Sequence, residues 1–394
     1  MNVLFYRYGS ICEPDISEVF HKLKLQVIEC TLEMKEKHLS PSHKLAAMLP
    51  LFSEHSIHFV FSINYFPHLS EVCERLQIPY LCWSVDSPVL ELFSNTLQNK
   101  CNYIFLFDYA QYLQFHPQNP EHIFYLPLAT NTERWEQVLE HISDDDRAQF
   151  SIDISFVGSL YHEKSPLSPL SGHAPLDAYW QGYISGLCEA QLKVYGYNFL
   201  EEAISEEFIG YLKHTFSDFY APENVHTDTD RYVAAHYYLG MYLAETERVR
   251  TLNELALEHQ VKAYTRSNTI LLKNVDCPGG VTTHTEMPKV FHLSKINLNM
   301  TMRPIQTGLS LRIWDILGCE GFLLTNYQQE LPDYFEIGKD LDCYESMTEL
   351  KEKVNYYLSH EDIRLEMAHN GYQKVKQLHT YEARIATMLT TVFF

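Results

Sequence analysis

Hydrophobic and polar positions follow two rhythms along this chain. Short, nearly unbroken apolar runs occur at Val3 to Tyr8, His58 to Ile63, Tyr80 to Val85 and Tyr103 to Phe107, and longer segments such as Leu69 to Gln77 carry apolar residues at helical spacing. A continuous run rich in β-branched and aromatic residues suits a strand covered on both faces. Its alternation with amphipathic helices is the βαβ pattern of an open parallel sheet.

The rhythm breaks between Thr130 and Ser151, a polar stretch containing Asp144-Asp145-Asp146, and a new strand, Ile152 to Val157, follows at once. The boundary is therefore placed near residue 150, giving an N-terminal domain over 1–150 and a second over 151–380. Residues from about Pro175 to His259 read as a helical insertion in the second domain. The sheet pattern then resumes at Val261 to Tyr264, Lys295 to Asn299 and Gly321 to Thr325. The last segment, 381–394, reads as an amphipathic helix expected to pack back toward the N-terminal domain. At 394 residues the chain exceeds what one core usually organises, which agrees with two domains. The expected fold class is α/β, two Rossmann-like domains facing a central cleft.

Composition narrows the function classes. Hydrophobic residues make up 46% and charged residues 21%, the balance of a folded globular protein. The formal charge of −21 repels a phosphate backbone, so nucleic acid is not an expected partner. A sugar nucleotide can still bind, because backbone N–H groups and one or two local cations act at short range while the global field is screened beyond about 8–10 Å. The nine cysteines are scattered, with no C-x-x-C pair, which points to neither a disulfide framework nor a zinc site and suits a cytoplasmic location. His284 and His292 lack a metal-ligand pattern, and no metal or cofactor is expected. The first residues read as carrying no export signal, and no run approaches 18 apolar residues.

Two Rossmann-like halves can serve a transferase, a dehydrogenase or a binding protein. The sequence contains no G-x-G-x-x-G after a strand, no P-loop and no H-E-x-x-H. The most informative segment is Phe291 to Thr325, in which a strand leads through a loop to a helix starting near Thr307, Gly308 and Ser310. The free N–H groups and dipole of that helix start would receive a diphosphate without metal. Asp315, further along the helix, is placed to accept hydrogen bonds from ribose hydroxyls; a capped helix with a surface aspartate explains the same pattern.

The stretch from about Lys289 to Met388 resembles the C-terminal domain of the CgeB-like (spore maturation type) glycosyltransferases, marked by an R-x-[FW]-[ED] helix followed by G-x-G-F-L-[LV]-T. Here the pattern appears as Gly308, Arg312, Trp314, Asp315, Gly321, Phe322, Leu323, Leu324 and Thr325, with further matches at Leu331, Tyr334, Phe335, Gly338, Tyr344, His379-Thr380-Tyr381 and Arg384. The N-terminal half resembles the domain that often precedes it, through Ser62 to Pro67, Trp83 to Pro88, Phe105 to Asp108 and Tyr125 to Ala129. The resemblance implies a GT-B fold, a nucleotide-sugar donor (a UDP-sugar by default) held by the C-terminal domain, and an acceptor held mainly by the N-terminal one. The expected acceptor is a glycan, a protein or a small molecule. It also implies an E-x₇-E motif whose second acid falls on Asp315 and whose first falls on Thr307, so the first acid is missing. A V-G-R-L-x-x-E-K loop maps onto Val157 to Lys164, with Ser159 in place of the arginine and Lys164 left as the cation for the diphosphate. Arg312 can serve instead, and its helix position equally suits packing against the neighbouring domain.

Asp86 falls at the end of the Trp83-Ser84-Val85-Asp86-Ser87-Pro88 run, where a carboxylate can act as general base on an acceptor hydroxyl. An aspartate before Ser-Pro is equally a turn device. Asp108 is the reserve candidate, and Asn64 and Tyr65 offer polar and stacking groups, although Tyr65 suits the core as well. The expected activity is metal-independent sugar transfer. The alternative is a non-catalytic GT-B-fold structural or sugar-binding protein of a surface layer, favoured by the missing acid and by Ser159.

Overall fold

Six parallel strands build the first sheet: β1 (Asn2–Tyr6), β2 (Gln26–Cys30), β3 (Phe59–Ile63), β4 (Tyr80–Ser84), β5 (Asn102–Leu106) and β6 (Ile123–Tyr125), in the order β2-β1-β3-β4-β5-β6. The second sheet is also parallel, with β7 (Ile152–Val157), β8 (Val261–Tyr264), β9 (Ser294–Asn299), β10 (Leu323–Asn326) and β11 (Asp342–Tyr344) in the order β11-β10-β9-β7-β8. The computed structural model describes residues 1–36, 40–220, 225 and 228–394. The chain forms two compact units, Met1–Leu128 with Pro222–Asp228 and Tyr381–Phe394, and Ala129–Ala221 with Thr229–Thr380. Each is a Rossmann-like α/β unit built on an all-parallel sheet.

In the first unit the central strands are mostly apolar and buried because helices cover both faces; β3 and β4 are buried at every position, and Val3, Leu4, Phe5 and Tyr6 are all fully buried. Its core joins Leu4, Tyr6, Val60, Tyr80, Cys82 and Ile104. The closing helix Tyr381–Phe393 belongs to this unit. Tyr381 packs edge-on against Trp83, Phe393 meets Phe59, and Arg384 Nε donates to the Pro127 carbonyl at 2.9 Å.

In the second unit, Ile154, Phe156, Ile296, Leu298, Leu324 and Tyr344 form the core with Leu252 and Leu255 of the helix Gly240–Leu255. The long connection from β7 to β8 carries the helices Ala178–Gln191, Glu206–Thr215 and Gly240–Leu255.

The division falls between Leu128 and Ala129, about twenty residues before the boundary read from the sequence. The polar stretch at which the boundary is placed holds two helices, Thr132–Leu139 and Asp144–Phe150, with Trp135 and Phe150 buried in the second unit. Ser143 and Asp146 close a capping box, and Asp146 also pairs with Lys289 Nζ at 2.8 Å. The aspartate run is the exposed first turn of a helix, where negative charge meets the positive dipole end.

Candidate functional site

In an open parallel sheet the chemistry gathers beyond the carboxyl ends of the strands. In the second unit β7 and β9 are neighbours, so the loops that leave them share one edge. β7 runs into Gly158 to Leu160 and a short turn of helix, His162–Lys164. β9 runs into the 300–310 loop and then the helix Leu311–Gly318. That second loop is pinned by a reciprocal pair: Thr301 N–H donates to Asn326 Oδ1, and Asn326 Nδ2 donates to the Thr301 carbonyl, both at 2.8 Å.

Ser310 precedes the helix without capping it by its side chain; its hydroxyl lies 3.2 Å from Thr301 Oγ1 instead. The first-turn N–H groups are thus not satisfied by a side-chain cap, the condition for anion binding at a helix start. Gly308 turns its carbonyl to Gln328 Nε2 at 3.4 Å. Thr307, which takes the place of the missing first acid, donates its hydroxyl to Glu330 Oε1 at 2.7 Å. The structure therefore returns a buried carboxylate to Thr307 from a different segment, one the sequence reading did not single out.

Three of the cations at this edge are Lys164, Arg312 and Arg248. Lys164 is exposed, with Nζ 5.4 Å from the centre of the Tyr161 ring. Arg312 reaches Asp315 Oδ2 at 3.3 Å and lies over the Phe291 ring. The third, Arg248, comes from the Gly240–Leu255 helix, and its guanidinium centre is 4.5 Å from the same Tyr161 ring. Arg248 lies in no motif; nothing in its helix pattern separates it from an ordinary surface arginine.

Asp315 is buried, its Oδ1 accepts the Thr130 hydroxyl at 2.8 Å, and its Oδ2 faces Arg312 at 3.3 Å, so each oxygen has a partner within the protein.

In the first unit the structure brings two of the four candidates together. Asn64 has a left-handed backbone (φ 58°), which asparagine tolerates. Its Nδ2 donates to Asp86 Oδ2 at 2.6 Å and to the Tyr8 hydroxyl at 2.9 Å, and its Oδ1 accepts Val85 N–H at 2.9 Å. Asp86 is exposed beyond the end of β4 with its carboxylate oriented by Asn64. Burial, and next the Asp86 charge, push the Tyr8 hydroxyl well above its ordinary pKa, so Tyr8 stays a neutral hydroxyl beside the carboxylate.

Tyr65 and Asp108 are not available to a ligand. Tyr65 is buried, stacked 5.9 Å from Tyr80, with its hydroxyl 2.8 Å from Thr96 Oγ1. Asp108 is fully buried and caps the helix Tyr109–Phe115 by accepting Ala110 N–H at 3.2 Å. Its other oxygen accepts the Ser87 hydroxyl at 3.3 Å, so Asp108 supports the turn that presents Asp86. A carboxylate at a strand end before a helix is as often a cap as a catalytic group, and the tertiary packing decided for the cap.

Residues 248–390 match a family model described as glycosyl transferase-like. No curated protein matches the sequence. Among solved structures the chain is similar to HepE of Anabaena in complex with UDP and glucose, with 10% identity, all of both chains covered and a TM-score of 0.54. It is also similar to a sucrose-phosphate synthase of Thermosynechococcus elongatus, at 12% identity and a TM-score of 0.54 over 99% of this chain and 98% of that one. A third, the UDP-forming α,α-trehalose-phosphate synthase of Burkholderia xenovorans, shares 9% identity over 99% and 98% of the chains, with a TM-score of 0.51. Among the described residues no helix is long and apolar enough to cross a membrane.

Proposed function

We propose that this protein transfers a sugar from a nucleoside-diphosphate donor, by preference a UDP-sugar, to an acceptor hydroxyl on a glycan, a protein or a small molecule, without a metal. The observation that carries the reading is the shared edge of β7 and β9, where the Gly158 to Lys164 loop and the uncapped start of the Leu311–Gly318 helix lie beyond neighbouring strands, the helix within residues 248–390 that match a glycosyl transferase-like family. The UDP bound by HepE supports the choice of base. The Arg312-Ile313-Trp314-Asp315 helix and Gly321 to Thr325 support a place near the CgeB-like branch.

In this mechanism, backbone N–H groups at Leu311 and Arg312 face the diphosphate, and Lys164 offsets the charge that grows on it as the glycosidic bond breaks. The proton of the acceptor hydroxyl passes to Asp86, whose carboxylate Asn64 holds in orientation.

The experiment is a thermal-shift screen with UDP, GDP, UMP and their sugars, followed by measurement of UDP released from the best donor. Stabilisation by a nucleoside diphosphate with slow donor hydrolysis is expected. If no nucleotide raises the melting temperature, the reading fails. A non-catalytic sugar-binding protein, favoured by Thr307 and Ser159, would bind UDP and release none from any donor.

A further inference from the structure

We infer that Arg248 is a binding residue of the diphosphate subsite, supplying from the Gly240–Leu255 helix the positive charge that the loop after β7 lacks at Ser159. The inference rests on the nucleotide-sugar reading above.

Arg248 is 9% exposed, yet it reaches both loops of the shared edge. Its Nη1 donates to the Ser159 carbonyl at 2.6 Å and its Nη2 to the Met300 carbonyl at 2.7 Å, one beyond β7 and one beyond β9. These bonds occupy two carbonyl oxygens that would otherwise repel a phosphate here. Its Nε has no partner among the described residues.

The surroundings are crowded with positive charge. Tyr161, held at φ 72° in the left-handed region, presents one ring to Arg248 at 4.5 Å and to Lys164 at 5.4 Å. Arg303, on the loop after β9, is buried with Nε and Nη1 unpartnered; its Nη2 pairs with Glu247 Oε1 at 3.1 Å. Among the other carboxylates nearby, Glu163 is bonded to the Ser159 and Ser267 hydroxyls and Asp315 pairs with Arg312. Burial and then the charge of Arg312 work against a positive Arg248, and Tyr161 and Glu247 favour it. A buried guanidinium with unspent N–H groups beside like charges is costly unless an anion completes the site. A tie between two loops needs donors and no charge. The crowding of Lys164 and Arg248 at one strand edge, beside an Arg312 whose charge Asp315 already meets, points to a polyanion, and a diphosphate has the charge and the spread of acceptor oxygens to meet the first two.

The test is calorimetric titration of UDP and uridine into the full chain, comparing parent, Arg248→Gln and Arg248→Lys. The ratio of uridine Kd to UDP Kd should fall about tenfold or more in Arg248→Gln, with uridine binding little changed, and should recover in Arg248→Lys. The dependence of UDP affinity on salt should flatten in the glutamine variant. An unchanged ratio in a folded Arg248→Gln makes Arg248 a loop tie only and overturns the inference. If that variant does not fold, Tyr161→Asn, which keeps the left-handed backbone and leaves Arg248 in place, is expected to lower the ratio by removing the platform of both cations; an unchanged ratio there overturns it equally. A parent protein that binds neither compound overturns the nucleotide reading itself. Tight UDP binding in the parent with an unaltered ratio in the variants overturns only the role of Arg248.

Discussion

Thr130 donates its hydroxyl proton to Asp315 Oδ1 at 2.8 Å and accepts Trp135 Nε1–H at 2.7 Å, all three groups being buried. Thr130 N–H also donates to the His379 carbonyl at 3.2 Å, so the residues where the chain enters and leaves the second unit are tied together. Gly318 permits the close approach, since a Cβ there would come within 2.6 Å of Thr130 Cγ2. Thr130→Val preserves shape and removes both bonds, leaving a carboxylate oxygen and an indole N–H without their partner. The variant should lose about 2–4 kcal/mol of stability, read from urea unfolding at pH 7. A loss below about 0.5 kcal/mol would show that the tie is worth no more than an ordinary surface contact.

Asp86 is exposed and oriented by Asn64, whereas Asp108 is a buried cap, so the two carboxylates should separate cleanly in kinetics. Asp86→Asn is expected to lower kcat by about 10²–10⁴ with UDP affinity unchanged. Asp108→Asn should lower the melting temperature before it touches kcat per folded molecule. Full activity in Asp86→Asn would remove the base assignment.

Sugar transfer should persist in EDTA, because the donor charge is met by helix N–H groups and side-chain cations. Lys164→Ala should then reduce kcat, as the lysine acts where charge builds on the leaving diphosphate. An absolute requirement for Mn²⁺ or Mg²⁺ in the transfer assay would contradict this.

Glu245 lies buried on the Gly240–Leu255 helix, with Oε1 accepting the Ser168 hydroxyl at 2.8 Å and Oε2 unpartnered. Burial raises its pKa from 4.5 to about 7, the Ser168 bond opposing and the Glu163 charge adding to the rise. The folded state thus keeps a proton that the unfolded chain releases, and stability contributed by this group is present below 4.5 and lost as pH rises to about 7. Each pH unit of that window is worth at most about 1.4 kcal/mol. Glu245→Gln should therefore unfold at higher temperature than the parent at pH 8, with the difference shrinking toward pH 5. Parallel melting curves from pH 5 to 8 would show that Glu245 does not titrate in this range.

The sequence by itself determined the α/β class and eight of the eleven strands, because the central strands are covered on both faces and write themselves as unbroken apolar runs. The three it did not reveal, β2, β6 and β11, are all edge strands, and β6 and β11, at three residues each, are too short to show a period. It also marked the segments beyond β7 and β9, since Gly158 to Lys164 and Thr307 to Asp315 carry local patterns. The tertiary structure alone decided which of those side chains stand free. Asp315 and Asp108 share residue type and position at a helix start or in its second turn with many ligand-binding carboxylates, yet Thr130, 185 residues from Asp315, and Ser87 claim them. It alone decided the unit boundary, because an amphipathic helix with an acidic outer face has the composition of a linker. And it alone brought Arg248 to the loop after β7, 89 residues before it in sequence, because burial and charge crowding depend on neighbours that only the fold assembles.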